Sequence, residues 1–283
     1  MELIKKIVKN LLPPFILDWL RRRRKKYGFF GNYSNWTNAL QSSTGYDAQA
    51  ILAKVKNARL LVKNGQAAFE RDGVVFDKIQ YSWPLLAALL YVATKNNNRL
   101  NLIDFGGALG TTYFQNLAFL KQLAALNWNV VEQANFVKVG QADFQNVQLK
   151  FYLTMADCLK EQSANTLLCL GVLQYLEKPY ELLNDIINLK FNYLIFDRTT
   201  FVTQLSDRLT VQKMPPRIYE ASYPAWFFNL DKFLAFFADK YELLADFDSL
   251  NKHNAKGDYL DLGDTIAVEK GFIFKRKGLT APL

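Results

Sequence analysis

The sequence predicts an α/β fold: a doubly wound, mostly parallel sheet with an antiparallel end, preceded by a helical N-terminal region. Three observations predict it. From Leu100 onward, short β-rich runs alternate with helical stretches, the pattern of right-handed crossovers above a parallel sheet. The first of these runs ends in an acid and a glycine cluster, "LNLIDFGGALG", ahead of a helix. The last two runs, "YELLADFDSL" and "DTIAVEKGFIFKRK", have no helix between them, so they should pair antiparallel.

The chain has 283 residues, half of them hydrophobic, enough for one large domain with an appendage. No apolar run is long enough to span a bilayer, and no cleavable signal is expected at the N-terminus. Cys158 and Cys169 lie among apolar residues and read as buried free thiols of a reducing compartment, here the cytoplasm. With these and His253 alone, no zinc site is expected.

Residues 1–27 form a basic arm. Nine Lys and Arg stand against Glu2 and Asp18, so the arm carries +7 of the chain's +9. Two amphipathic pieces, broken at Pro13 and Pro14, precede the cluster Arg21–Lys26. Apolar helix faces, Trp19 and clustered cations suit an anionic membrane surface. Docking on the chain's own domain or on a second subunit is the plainer alternative. The body is nearly neutral, which disfavours nucleic acid as a partner.

Residues 28–98 read as mainly helical. Ser34 is placed as the cap of a short helix, and Asp47 as the cap of a longer one holding Ile51, Leu52, Val55 and Leu60. "AAFERDGVVF" reads as two short strands around Arg71–Gly73. Ser82 then starts the apolar helix "SWPLLAALLYVA", with Pro84 tolerated in its first turn.

Strands are expected near 100–104, 128–132, 149–153, 165–170 and 192–197. A long loop is expected over 198–225, then a helix near 230–240 and the two terminal strands. Long loops in compact domains are often functional.

The glycine turn restricts the ligand. In the dinucleotide register G-x-G-x-x-G, Gly107 and Gly110 leave Phe105 at the first position, which argues against NAD(P) or FAD. The looser register acid-x-G-x-G-x-G reads Asp104, Gly106, Ala108 and Gly110, with Gly107 beside the substituted middle position. That register belongs to S-adenosylmethionine, whose amino group and sulfonium suit a carboxylate at the strand end. Glu132, closing "WNVVEQ" beside Gln133, is placed to accept ribose hydroxyls.

Ligands of open α/β sheets lie beyond the carboxyl ends of the strands. Gln174 and Tyr175 at one strand end are therefore substrate candidates, with Asp197 as general base and Arg198 as its orienting or substrate-binding partner. Tyr81, Arg208, Tyr219 and Tyr223 are placed in the same acceptor site, their aromatic faces and cationic fork suiting a sugar or a phosphate-bearing acceptor. Asp157 reads equally as a helix-start acid or an adenine contact, and His253 as a solvated loop residue.

The stretches "LNLIDFGGALGTTYFQN", "WNVVEQ", "LGVLQYLEKPYELL", "YLIFDRTTF", "DKIQYSWPLLAALL" and "YGFFGNYSNW" together resemble a bacterial family of class I S-adenosylmethionine-dependent methyltransferases from surface-polysaccharide gene sets. The resemblance implies the seven-stranded Rossmann-like methyltransferase fold over 99–283, S-adenosylmethionine as cofactor, and contacts to it from Asp104, Gly106, Gly107, Gly110 and Glu132. It implies little about the acceptor; the expected one is a sugar or lipid-linked glycan, handled in the cytoplasm or at the inner face of the cytoplasmic membrane, to which the basic arm would bring the domain. Two rivals stand beside it: a non-catalytic cofactor-binding scaffold, and an NAD(P)-dependent sugar-modifying enzyme.

Overall fold

The computed structural model describes residues 26–45, 48–249, 260–262, 265 and 267–279. Most of the basic arm, the Asp47 cap and His253 lie outside these residues.

The parallel part of the sheet holds five strands: β4 (Arg99–Phe105), β5 (Ala125–Val131), β6 (Leu149–Tyr152), β7 (Thr166–Leu170) and β8 (Tyr193–Val202). They lie in the order β6-β5-β4-β7-β8. The order reverses beside β4, so the glycine turn that follows it opens at the switch point. The helices between them are α4 (Thr111–Leu120), α5 (Ala134–Asp143), α6 (Met155–Glu161) and α7 (Pro179–Asn188). After α8 (Leu230–Phe237) come β11 (Tyr241–Asp248) and β12 (Ala267–Arg276). These two pair antiparallel, and β12 runs antiparallel along β8. The seven strands expected from the sequence are present with the last one reversed.

Side-chain alternation divides the core between two faces. Leu102, Trp128, Val130 and Ile195 pack on one face against α2 (Ala48–Lys63), α3 (Trp83–Thr94) and α4. Ile103, Leu167, Leu194 and Phe196 pack on the other, where Phe201, Phe233, Phe237, Phe272 and Phe274 form an aromatic block with edge-to-face contacts. Cys158 and Cys169 are buried and unpaired. Among the described residues no helix is long and apolar enough to cross a membrane.

Three expectations need correction. Residues 198–225 are not a loop. β8 continues to Val202, five residues past its last partner on β7. Its tip pairs with β10 (Ser222–Asn229), which pairs antiparallel with β9 (Arg208–Lys213). The N-terminal stretch also begins with a strand: β1 (Gly28–Tyr33) adds antiparallel to β9, giving a ten-stranded sheet. The short helix α1 (Trp36–Gln41) is capped by Asn35, not Ser34. The hairpin of β2 (Phe69–Arg71) and β3 (Val74–Phe76) forms as expected and reaches the carboxyl ends of the parallel strands.

Candidate functional site

Asp104 is the penultimate residue of β4, set between Val130 and Leu168 of the flanking strands. It is 1% exposed. Its Oδ2 accepts a hydrogen bond from Trp128 Nε1 at 3.0 Å. Burial pushes its carboxyl up to about 7, against the pull of the Trp128 donor and Arg198, with Glu132 adding to the rise. A carboxyl held this far above its ordinary range is poised to ionise when a cation arrives.

The glycines after it answer two close approaches. Gly106 has φ +73, and a Cβ there would meet Val172 at 2.6 Å. A Cβ at Gly107 would lie 2.5 Å from Asp104 Oδ2. The bare turn therefore leaves the carboxyl facing open space. Ala108, the departure from the glycine pattern, takes φ 49, and Gly110 caps α4 with φ +79. The substituted position keeps the left-handed backbone that glycine adopts without strain.

Glu132 follows β5. Its Oε2 accepts the Gln133 amide at 2.7 Å. Burial raises its pKa, opposed by amides of Gln133 and Ala108. The acid therefore ties the β5 tip to the glycine turn. Gln133 contributes its backbone amide there, while its side chain is exposed.

Two cavities meet above these strands. The first, of about 150 Å³, is walled by Asp104, the turn Gly106–Ala108, Thr111, Gly171 and Asp197. The second, of about 700 Å³, lies over the β8–β10 extension and is walled by Gln174, Tyr175, Arg217, Tyr219, Tyr223 and Glu269, among others. Arg71, Asp72, Gly171 and Arg198 line both.

Arg198 stands at that seam on strained backbone, φ 52. Its amide donates to Asp197 Oδ1 at 2.7 Å and to Ser249 Oγ at 3.0 Å. Its carbonyl accepts from Gln174 Nε2 at 3.0 Å, and its Nη2 donates to Leu170 O at 3.0 Å. Burial works against its charge, but Asp72, Asp197 and Glu269 overcome this and hold the guanidinium above its ordinary value. Arg71 is shifted down by burial and by Arg198, with Asp72, Glu269 and Asp197 opposing.

Asp197 is 3% exposed and lines only the first cavity. Ser249 Oγ donates to its Oδ1 at 2.7 Å, and Ser82 Oγ to its Oδ2 at 3.3 Å. With the Arg198 amide, three donors occupy this carboxylate. These bonds tie Asp197, expected as a general base, to Arg198 and to the start of α3 while it stays in the wall of the first cavity. The same bond explains why Ser82, at the start of α3, makes no side-chain cap.

Of the substrate candidates, Gln174, Tyr175, Tyr219 and Tyr223 come together at the second cavity, with the Tyr219 and Tyr223 hydroxyls 3.0 Å apart. Two others do not join them. Tyr81 packs with Trp83 and Phe119 in a separate aromatic cluster. Arg208 donates through Nε and Nη2 to Gly31 O at 3.2 and 3.0 Å, fastening β9 to β1. Asp157 is the helix-start acid: it bonds Thr154 and Lys160 at the start of α6. Arg71 and Asp72 were legible only as the tip of a hairpin, because no local pattern says which strand ends a hairpin will cover. The anchor Ser249 and the wall residue Glu269 had no sequence signal.

No family model matches the chain, and no curated protein matches it. Among solved structures, it is similar to the N-terminal domain of EvdMO1 in the presence of SAH and D-fucose (TM-score 0.48, 13% identity, covering 82% of this chain and 98% of that one). It is also similar to magnesium protoporphyrin IX methyltransferase from Synechocystis PCC 6803 with bound SAM (0.43, 14%, 83% and 99%). A third is SAM-bound CalS10, an amino pentose methyltransferase from Micromonospora echinaspora (0.42, 10%, 70% and 92%).

Proposed function

We propose that the protein is an S-adenosylmethionine-dependent methyltransferase acting on a sugar or glycan-type acceptor of surface-polysaccharide biosynthesis. One observation carries the donor assignment: a buried strand-end carboxyl, Asp104, faces a glycine turn in which even a Cβ at Gly107 would collide with it. That cradle fits an amino-acid head carrying an ammonium beside a sulfonium, and Glu132 at the next strand tip fits a ribose. The donor cavity opens into a larger one lined by three tyrosines and Gln174, which suits a ring bearing hydroxyls.

S-adenosylmethionine, when bound, supplies a methyl group on a sulfonium that needs no further activation. The residues of the chain therefore align, orient and exclude water. Asp104 holds the donor's ammonium, and the Gly106–Gly107 turn lets the backbone approach. Arg198, fixed by Asp197, Ser249 and Gln174, forms the floor of the seam. Asp72 lines both cavities and takes the proton of an acceptor hydroxyl. Residues 1–27 bring the domain to an anionic membrane surface at the cytoplasmic face.

Calorimetric titration with S-adenosylmethionine, its demethylated product, NAD and NADP tests the donor assignment. Binding of the first two and neither of the others is expected; binding of a nicotinamide nucleotide alone would overturn it.

A further inference from the structure

The charges around the seam are not evenly divided. Among the described residues, the donor cavity is walled by three carboxyl groups, Asp72, Asp104 and Asp197, and two guanidiniums, Arg71 and Arg198. The acceptor cavity is walled by three guanidiniums, Arg71, Arg198 and Arg217, against two carboxylates, Asp72 and Glu269. The donor side therefore suits a ligand with net positive charge, as S-adenosylmethionine has. The acceptor side has the opposite balance.

Two further features mark what that side would hold. Gln174 is 2% exposed; its Nε2 is spent on the Arg198 carbonyl, and its Oε1 is buried without a hydrogen-bond partner. A buried amide oxygen left this way calls for a donor, such as a hydroxyl of a bound molecule. Arg217 is exposed at the segment between β9 and β10, which Lys54 Nζ anchors through the carbonyls of Arg217 and Ile218. Its guanidinium is thus a fork carried on a fixed backbone, suited to a carboxylate or phosphate.

We infer that the acceptor is an anionic, hydroxyl-bearing ring compound: the ring lies against Tyr175, Tyr219 and Tyr223, a hydroxyl donates to Gln174 Oε1, and a phosphate or carboxylate is answered by Arg217 with Arg71. Arg217 and Arg71 are specificity-determining residues that select against a neutral acceptor. The inference rests on the methyltransferase reading for the identity of the donor cavity, but not for the charge preference of the second.

The test is calorimetric titration of the full chain, saturated with S-adenosylhomocysteine, with glucose, glucose 1-phosphate and glucuronate. At least one anion should bind tenfold or more tightly than glucose, and which one does so separates a phosphate from a carboxylate source. Arg217→Gln, at an exposed site, should lower that anion's affinity about fivefold and leave glucose and S-adenosylhomocysteine unchanged. Raising salt should weaken the anion alone. Equal affinity for glucose and both anions, no measurable binding of either anion, or an Arg217→Gln protein that binds as the parent does would overturn the inference. Failure of S-adenosylhomocysteine to bind the parent would instead remove the methyltransferase reading, leaving the anion preference to be read without it.

Discussion

Replacing Asp104 by Asn separates a functional carboxyl from a structural one. The asparagine Oδ1 keeps an acceptor for Trp128 Nε1, which donates to the native carboxyl at 3.0 Å. What the change removes is a buried charge. The native carboxyl is raised from 3.8 to about 7, about three units at 1.36 kcal/mol each, or about 4 kcal/mol. Between these two values the folded protein holds a proton that the unfolded chain has released. Stability is therefore withdrawn as pH rises from 3.8 to 7, and the full cost stands above 7. Relaxation and water entry reduce it, so about 2 kcal/mol is the working figure.

Asp104→Asn should accordingly raise the melting temperature by about 5 °C at pH 8 and change it little at about pH 3.5, below both values, where the group is neutral in the folded and the unfolded chain alike. The same variant should bind S-adenosylmethionine about 1–3 kcal/mol more weakly at pH 8, because the donor's ammonium loses its counter-charge. Scanning calorimetry at the two pH values and isothermal titration at pH 8 read both effects. A loss of stability at both pH values, or an unchanged affinity, would refute the reasoning.

Gly107→Ala should weaken S-adenosylmethionine binding by about fivefold to a hundredfold, since its Cβ would sit 2.5 Å from Asp104 Oδ2 and overpacking of this kind costs about 1–3 kcal/mol; titration against the parent checks it. Arg208→Ala should lower stability by about 2 kcal/mol through loss of its bonds to Gly31 O, with donor affinity unchanged, read by denaturant unfolding and titration. Deleting residues 1–27 should abolish sedimentation with anionic vesicles while leaving the melting temperature of the body within a few degrees; retained vesicle binding would place the membrane contact elsewhere.

The parallel sheet was legible because its strands and helices alternate in separate stretches, each ending in its own turn chemistry. The Asp104–Gly110 turn was legible for the same reason: its geometry is local, and acid, glycines and helix start are consecutive. The β8–β10 extension was not. β10 is buried along nearly its whole length, so it lacks the polar alternation that marks a strand, and Pro224 inside it argues against one; β9 does alternate from Arg208 to Lys213, but it is one short run without a legible partner. The polar and aromatic residues there read as a loop wall, which led Arg208 to be assigned to substrate when it serves the sheet. The wall of the second cavity was half legible. Gln174, Tyr175, Tyr219 and Tyr223 follow from strand ends and composition. Arg71, Asp72, Ser249 and Glu269 reach the seam only through tertiary packing, which no spacing in the chain encodes. Asp197 was recognisable as a strand-end acid, but its three donors come from β8 itself, the start of α3 and the residue after β11.

In the proposed function the turn after β4 cradles the amino-acid head of a sulfonium nucleoside between Asp104 and Glu132. A crystal structure of the full chain with S-adenosylhomocysteine tests it most directly. The ligand's ammonium should lie on Asp104, its ribose on Glu132 and its sulfur facing the seam at Arg71, Asp72 and Arg198. A ligand lodged in the tyrosine-lined cavity, or one seated over the turn with neither carboxylate touching it, would contradict it.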